Sequence, residues 1–170
     1  MPRRLLRDGE VVVDEWRTSS EAGALAGAGA GDDLMLTFAE WAAERERWLA
    51  RPGLARPGRL GVVLSPADAV ERLAPDLPRL ALVGAEFPGP SEGRGYTQGR
   101  LLRERFGFKG ELRARGHIGR DQVFLLARCG FNSLELPESE LEGAKGALRT
   151  FSAAYQRSND AGLAVRLDPP

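Results

Sequence analysis

Two glycines flank an arginine in the stretch SEGRGYTQGR, just before a run that reads as a helix. Gly93 and Gly95 lack a Cβ atom, so backbone N–H groups here can approach a ligand closely. Arg94 can add a bidentate guanidinium group, and Tyr96 a hydroxyl donor. The N-terminus of the following helix favours negative charge. Residues 93–96 are therefore predicted to form an anion-receptive loop for sulfate, phosphate or carboxylate.

A simpler interpretation of the same spacing is a turn whose glycines only satisfy backbone geometry, with Tyr96 packed on the core. The stretch lacks the full dinucleotide-binding fingerprint and the lysine of a phosphate-binding P-loop. Local charge favours the anion, because residues 94–128 hold nine basic and three acidic residues, a net charge of +6 in a chain of zero net charge. Arg100, Arg103 and Arg105 have the alternative of lying on a solvated helix face.

Three further polar residues follow the next predicted strand. His117, the single histidine, could act as a general acid or base with Asp121 or Glu86 as its partner. Asp121 also fits the first turn of a helix, where the dipole favours a carboxylate, and Gln122 could face the same edge. A merely structural or exposed His117 is the competing interpretation.

Composition excludes several classes of protein. The net charge is formally zero, so no nucleic-acid or membrane partner is expected. Cys129 is the single cysteine, so no intramolecular disulfide can form, and no metal site or cofactor is predicted. Cys129 is expected to be a buried small hydrophobe at a helix end. No stretch approaches the length of a membrane span, and a cytoplasmic protein is expected.

The elements that position these residues alternate. From residue 33 onward the sequence predicts about five β-then-α units, with strands over 33–38, 59–65, 79–87, 110–116 and 131–137. The helices are predicted over 38–50, from 66, over 97–107, 119–130 and 138–156. This alternation predicts an α/β fold with a mainly parallel sheet, either a partial TIM-type barrel or an open doubly wound sheet.

The chain is divided into four parts by its composition. Residues 1–18 are predicted to form an N-terminal β-hairpin appendage turning at Asp8-Gly9, and 19–32 a Gly/Ala-rich loop. A single α/β domain is expected over 33–157, and a loosely held tail over 158–170. Function is expected at the carboxyl ends of the strands. That edge should carry Ser65, Glu86 to Tyr96, Arg115 to Asp121, and the residues after Leu136.

Three strings resemble a proteobacterial family of unassigned biochemical function: GRGYTQGRLLRERFGFKGELRARG, RDQVFLLARCGFNSLEL and FSAAYQ. The resemblance covers most of the chain and is densest over 93–136. It implies a part in sulfate or sulfite assimilation, because members of that family are typically encoded beside assimilatory sulfite reductase and sulfate-activation genes. The resemblance also implies a set of family-matching polar residues, namely Gly93, Arg94, Gly95, Tyr96, Arg113, Asp121 and Gln122. The family has Gly-Asp-Val where this chain has Gly116-His117-Ile118, which counts against His117 as an essential catalyst.

Three functional hypotheses follow. The first is an accessory or partner protein of sulfite reductase components that binds a small oxyanion, because one cysteine cannot ligate the iron–sulfur cluster that sulfite reduction needs. The second is a small-molecule enzyme linked to sulfite reduction, a probable oxidoreductase, in which Arg94, Arg113 and Asp121 converge on an anionic substrate. The third is a structural homodimer built on a helix that carries Trp41 and Trp48.

Overall fold

The structure is a computed structural model that describes residues 3–19, 31–50 and 59–150. The predicted tail over 158–170 lies outside these residues, as do most of the predicted loop over 19–32 and the last part of the predicted domain. Eight strands are described: β1 Arg4–Arg7, β2 Glu10–Val13, β3 Arg17–Thr18, β4 Leu34–Thr37, β5 Leu60–Leu64, β6 Leu82–Phe87, β7 Glu111–Gly116 and β8 Ser133–Leu134. The α-helices are α1 Phe38–Ala43, α2 Arg45–Leu49, α3 Arg94–Arg100, α4 Val123–Arg128 and α5 Leu141–Thr150.

All eight strands form one curled half-barrel sheet in the order β2-β1-β8-β7-β6-β5-β4-β3. The pairs from β3 to β8 are parallel, while β1 is antiparallel to both β2 and β8. Asp8 and Gly9 turn the chain between β1 and β2 with φ values of 51° and 79°. Because β1 also pairs with β8, residues 4–13 extend the main sheet and do not stand apart as an appendage.

The curl of the sheet follows from its connectivity. The two edge strands, β2 and β3, are consecutive in the chain, and only Asp14, Glu15 and Trp16 lie between them. We call residues 14–16 the strap. Four residue steps span at most about 14 Å, so the strap holds the two edges of an eight-stranded sheet close together. A flat sheet of that width could not satisfy this constraint.

The two faces of the sheet differ in what covers them. Side chains alternate along a strand, and Val62 and Leu64 of β5 belong to the main core. Helices α1, α2, α4 and α5 place buried side chains in this core, and α3 packs Tyr96 against it. Val63, from the opposite face, packs with Trp16 of the strap in a smaller cluster. We call the helix-covered face the outer face and the face crossed by the strap the inner face. A doubly wound sheet would have helices on both faces, so the partial-barrel alternative is the one found.

Several predicted helices have different bounds. The helix predicted over 38–50 is two helices that meet at Glu44, which leaves helical geometry at φ −126°. Between β5 and β6 the structure has two 3₁₀ helices, Val70–Arg72 and Ala74–Arg79, because Pro75 and Pro78 cannot donate backbone hydrogen bonds. The helix predicted to begin at Thr97 begins at Arg94 and continues as a π-helical turn, Leu101–Arg105.

The C-terminal elements also differ in length. The strand predicted over 131–137 is reduced to Ser133–Leu134, and 3₁₀ turns over Arg120–Gln122 and Glu138–Glu140 precede α4 and α5. The number of regular β/α units predicted from the sequence therefore stays a prediction. Trp41 and Trp48 are both buried in the main core of the chain itself.

Candidate functional site

The loop predicted to receive an anion does not have the expected geometry. Arg94 is the first residue of α3, and its guanidinium group donates to both carboxylate oxygens of Glu92 at 3.0 Å. The backbone N–H of Arg94 also donates to Glu92, and that of Tyr96 donates to the Gly93 carbonyl at 3.1 Å. The pairing lowers the pKa of Glu92 and raises that of Arg94. These donors therefore have partners within the protein, and the anion-receptive loop stays a prediction.

The glycine spacing of the loop is explained by packing. A Cβ atom on Gly95 would lie 2.5 Å from Cζ of Phe87, the last residue of β6, whereas one on Gly93 would meet nothing within 4 Å. Gly95 thus lets the first turn of α3 rest directly on the Phe87 ring. This packing requirement at Gly95 was part of neither interpretation of the loop.

Two of the predicted site residues do meet. The Gln122 side chain donates to the Tyr96 hydroxyl at 2.9 Å and accepts from the Gly119 N–H at 2.9 Å. The Tyr96 ring packs edge-on against Phe87 at a centroid distance of 5.1 Å. Burial raises the pKa of Tyr96, although the bond from Gln122 acts to lower it. This bridge ties α3 to the turn before α4 and leaves the hydroxyl engaged.

Arg113 is enclosed in a cluster of carboxylates on the inner face. Its side chain is 0% exposed, and Nη1 donates to both Asp14 oxygens at 3.1 Å. Nε and Nη2 donate to Glu111 at 3.0 and 2.7 Å, and Nη1 also reaches Glu135 at 3.3 Å. Burial acts to lower the pKa of Arg113, but the neighbouring carboxylates outweigh it and raise the pKa. We call Arg113, Asp14, Glu111 and Glu135 the inner cluster.

The remaining predicted residues do not join Arg113. Asp121 and His117 are exposed, and the His117 backbone N–H donates to the Phe87 carbonyl at 2.6 Å. Because Arg113 is fully enclosed, an anionic substrate cannot contact Arg94, Arg113 and Asp121 together. The convergent site predicted for an enzyme is not formed by these three residues.

Arg103 corrects another expectation. It was expected on a solvated helix face, but it donates to the carbonyls of Gly130, Phe108 and Gly110 at 2.9, 2.7 and 3.0 Å. Those carbonyls lie at the end of α4 and before β7, so Arg103 holds two loops against the π-helical turn. Much of the positive charge of the 94–128 segment is therefore already paired inside the protein. Cys129 is buried as predicted, and burial raises the pKa of its thiol.

A pocket of about 290 Å³ opens at the carboxyl ends of the parallel strands. It receives residues from β3, β4, β5, β6 and β7, the strands whose carboxyl ends meet at this edge. We call it the edge pocket, and its lining residues are Thr18, Ser19, Met35, Leu36, Thr37, Phe38, Ala39, Val63, Ser65, Asp68, Glu86 and Arg115. Ser65, Glu86 and Arg115 belong to the edge that the sequence predicted as functional.

Among the described residues, Arg115 is the one basic residue that lines the edge pocket. Leu112 and Ala114 of β7 face the outer core, so Arg115 lies on the inner face, one level nearer the mouth than Arg113. Its side chain is 21% exposed, and Nε lies 3.6 Å from Glu135, beyond hydrogen-bond length. Its guanidinium donors are thus less engaged than those of Arg113.

The edge pocket also contains carboxylates. Glu86 is aligned with Arg115 across β6 and β7 and is exposed. Within the described ranges Glu86 has no hydrogen-bond or ionic partner. Asp68 uses one oxygen to accept the Ser65 N–H at 2.7 Å. Burial acts to raise the pKa of Glu40 at the rim, but hydrogen bonds from Ser19 and Thr37 outweigh it and lower the pKa.

Sequence reasoning missed the pocket residues that come from β3 and β4, and Asp68 in the loop after β5. Thr37 and Asp68 both had a detectable signal, because Thr37 lies three residues before Glu40, and Ser65 three residues before Asp68. This spacing is typical of a capping box at the start of a helix. Thr37 and Glu40 form that box in the structure, which fixes the chain at the rim of the edge pocket.

A second cavity lies near the amino ends of the strands. It has a volume of about 370 Å³ and is lined mainly by apolar groups, including Leu77, Phe106 and Phe108. Lys109 is its charged residue. The edge pocket, though smaller, brings more polar groups together and is therefore the better candidate for binding a polar ligand.

The fold and the pocket together define the class: an α/β half-barrel with a polar pocket at the carboxyl edge of its sheet. The family model described as "Bacterial protein of unknown function (DUF934)" matches residues 61–165, and the chain belongs to that family. The match includes Ser65, Glu86 and Arg115. No curated protein matches the chain.

The described ranges 3–19, 31–50 and 59–150 hold no group of three or more His, Cys, Asp or Glu side chains that could bind a metal ion. They also hold no helix that combines the length and the apolar character needed to cross a membrane.

Proposed function

We propose that this protein is an accessory or partner protein of assimilatory sulfate and sulfite reduction that binds a small molecule through an oxyanion group in the edge pocket. The observation that carries the binding proposal is the state of Arg115. Its guanidinium group lines a pocket at the carboxyl ends of parallel strands, and its ionic neighbour Glu135 is 3.6 Å away. Free N–H donors in a fork are suited to the paired oxygens of sulfate, sulfite or a carboxylate.

The pathway part of the proposal is supported by the sequence. The strings over 93–116 and 120–136 resemble the proteobacterial family encoded beside assimilatory sulfite reductase genes. A chain with one cysteine cannot supply the thiolates of an iron–sulfur cluster, so the electron-transfer centre belongs to a partner. The natural candidates for that partner are components of sulfite reductase.

A small-molecule enzyme using the same pocket is the second candidate. The observation that favours it is Glu86, a carboxylate at the carboxyl end of β6 with no partner in the described part of the chain. Barrel enzymes place their reacting groups at this edge, and a carboxylate beside a bound substrate can accept or donate a proton. Arg115 would hold the substrate and Glu86 would transfer the proton.

Binding is tested by calorimetric titration with sodium sulfate, sodium sulfite and sodium acetate at constant ionic strength. The wild-type protein should bind at least one of them, and Arg115→Gln should bind at least tenfold more weakly. Arg94→Gln is the matched control, because its guanidinium group is paired with Glu92 outside the pocket, and it should bind like wild type. Equal binding by the wild type and Arg115→Gln would contradict the proposed site.

The pathway is tested by deleting the gene and comparing growth on sulfate, sulfite, sulfide and cysteine. Rescue by sulfide but not by sulfite would place the protein at the reduction step. Complementation with wild type or Arg94→Gln should restore growth on sulfate, whereas Arg115→Gln should not. Normal growth of the deletion strain on every sulfur source would refute a role in assimilation.

A further inference from the structure

The edge pocket carries charges of both signs. Within the described part of the chain, its lining holds one guanidinium group, from Arg115, and two carboxylates, from Glu86 and Asp68. A simple oxyanion placed on Arg115 would lie next to the Glu86 carboxylate and be repelled by it. The lining is therefore better matched by a ligand that is itself positive at one end and negative at the other.

The two charges lie side by side. Glu86 and Arg115 are register partners on adjacent parallel strands, so their Cα atoms are about 4.8 Å apart. Both side chains lie on the inner face, since Ala85 and Phe87 of β6, like Ala114 of β7, belong to the outer core. One small ligand can therefore contact both side chains at once.

The carboxylates keep free acceptor capacity. Glu86 has no partner among the residues of the described ranges, and Asp68 uses only Oδ2, for the Ser65 N–H at 2.7 Å. An ammonium group has three donors and no acceptor. It could therefore donate to Glu86 and to Oδ1 of Asp68 without displacing an existing hydrogen bond.

The rest of the lining sets the size and polarity of the ligand. Met35 and Val63 give the inner wall an apolar patch, and Ser65 adds a hydroxyl group. At about 290 Å³ the cavity is at the lower end of the volumes found for ligand pockets. That volume fits a metabolite of a few heavy atoms with a short side chain and is too small for a nucleotide.

We infer that the edge pocket binds a small zwitterionic α-amino acid, with its carboxylate on Arg115 and its ammonium group on Glu86 and Asp68. This inference rests on the proposed function, since it uses Arg115 as the contact for the carboxylate of the ligand. It goes further by assigning Glu86 and Asp68 as the contacts for the ammonium group. The apolar patch of Met35 and Val63 would face the amino acid side chain.

The test is a calorimetric titration of the full-length protein with L-amino acids up to the size of L-methionine. For the tightest binder, analogues without the carboxylate or without the amine are then compared; for L-serine these are ethanolamine and 3-hydroxypropionate. The amino acid should bind at least tenfold more tightly than either analogue. Glu86→Gln should weaken amino acid binding at least tenfold but should not weaken binding of the deaminated analogue, which gains from the loss of a like charge. Arg115→Gln should weaken the binding of both.

The outcomes separate this inference from the proposal on which it rests. If sulfate or 3-hydroxypropionate binds through Arg115 and no amino acid binds more tightly, the zwitterion is refuted and the oxyanion site stands. The inference is also refuted if ethanolamine binds as tightly as the amino acid. It is refuted as well if Glu86→Gln has no effect on binding of the amino acid. If none of the probes binds, both proposals fail. Glu86 is exposed, and unchanged circular dichroism of Glu86→Gln confirms that the variant is folded.

Discussion

Arg113 and Arg115 lie two residues apart on the same face of β7, but their guanidinium groups have different surroundings. Arg113 is fully buried, and its donors reach Asp14, Glu111 and Glu135. Arg115 reaches the mouth of the half-barrel, and its one ionic neighbour among the described residues is Glu135, at 3.6 Å. A buried charge must be matched inside the protein, whereas a charge at the mouth can remain available to a ligand. A structural arginine and a binding arginine therefore differ in whether protein acceptors already occupy the N–H donors of the guanidinium group.

Of the substitutions considered, Arg113→Met should cause the largest loss in the free energy of unfolding. Methionine retains much of the side-chain length but leaves Asp14 and Glu111 as buried carboxylates without their partner. The expected loss in the free energy of unfolding is about 3–5 kcal/mol, measured by urea denaturation. A loss below about 1 kcal/mol would show that Arg113 is not the centre of the inner cluster.

Asp14→Asn tests whether the ion pair with Arg113 also holds the strap in place. Asp14 accepts from Arg113 and from Arg3, so the single substitution should cost about 1–3 kcal/mol. In the Arg113→Met background the same substitution should cost less, because Asp14 has then lost its buried partner and, among the described residues, keeps only Arg3 as an ionic partner. A coupling free energy of about 1–3 kcal/mol in the double-mutant cycle is expected, and additive effects would show that the two residues are independent.

Gly95→Ala tests the packing at the start of α3, next to Arg94. A Cβ atom there would lie 2.5 Å from Phe87, and overpacking of this kind costs about 1–3 kcal/mol. Gly93→Ala is the matched control, because its site is open and its φ of −99° suits any residue; its effect should stay within about 0.5 kcal/mol. Equal effects of the two substitutions, measured by thermal unfolding, would contradict the packing role of Gly95.

Arg115→Gln should have the smallest effect on stability. Its ion pair with Glu135 is long and partly exposed, so the free energy of unfolding should fall by about 1 kcal/mol or less. Binding of the pocket ligand should be lost in the same variant. If Arg115→Gln destabilised the protein as much as Arg113→Met, the distinction between the two arginines would disappear.

The sequence predicted the alternation of strands and helices, but it did not predict whether the sheet is open or curled into a half-barrel. Alternating apolar runs and helical periods correctly indicated a mainly parallel α/β sheet, and Ser65, Glu86 and Arg115 were placed at its carboxyl edge. Periodicity could not choose between an open sheet and a half-barrel. That choice depends on the strap joining β2 to β3, and the strand order is a non-local property.

The same limit applies at the candidate site. Arg113 belongs to the predicted binding set through the family resemblance, and its partner Asp14 lies 99 positions away in the chain, where no local pattern shows the pairing. Arg94 is predicted as an anion donor from its guanidinium group and flanking glycines, and nothing in that pattern shows that Glu92 folds back onto it. Local sequence identifies which groups can bind an anion, but only the folded arrangement decides which of their donors are already used.

The most direct measurement is an NMR titration that follows the Nε–Hε signals of the arginines, assigned with Arg113→Lys and Arg115→Lys variants. Sodium sulfate is added first, and then the amino acid that binds most tightly. The Arg115 signal should shift and saturate while the Arg113 and Arg94 signals stay in place. A saturable shift at Arg94 or Arg113, with the Arg115 signal unmoved, would contradict the assignment of the edge pocket as the binding site.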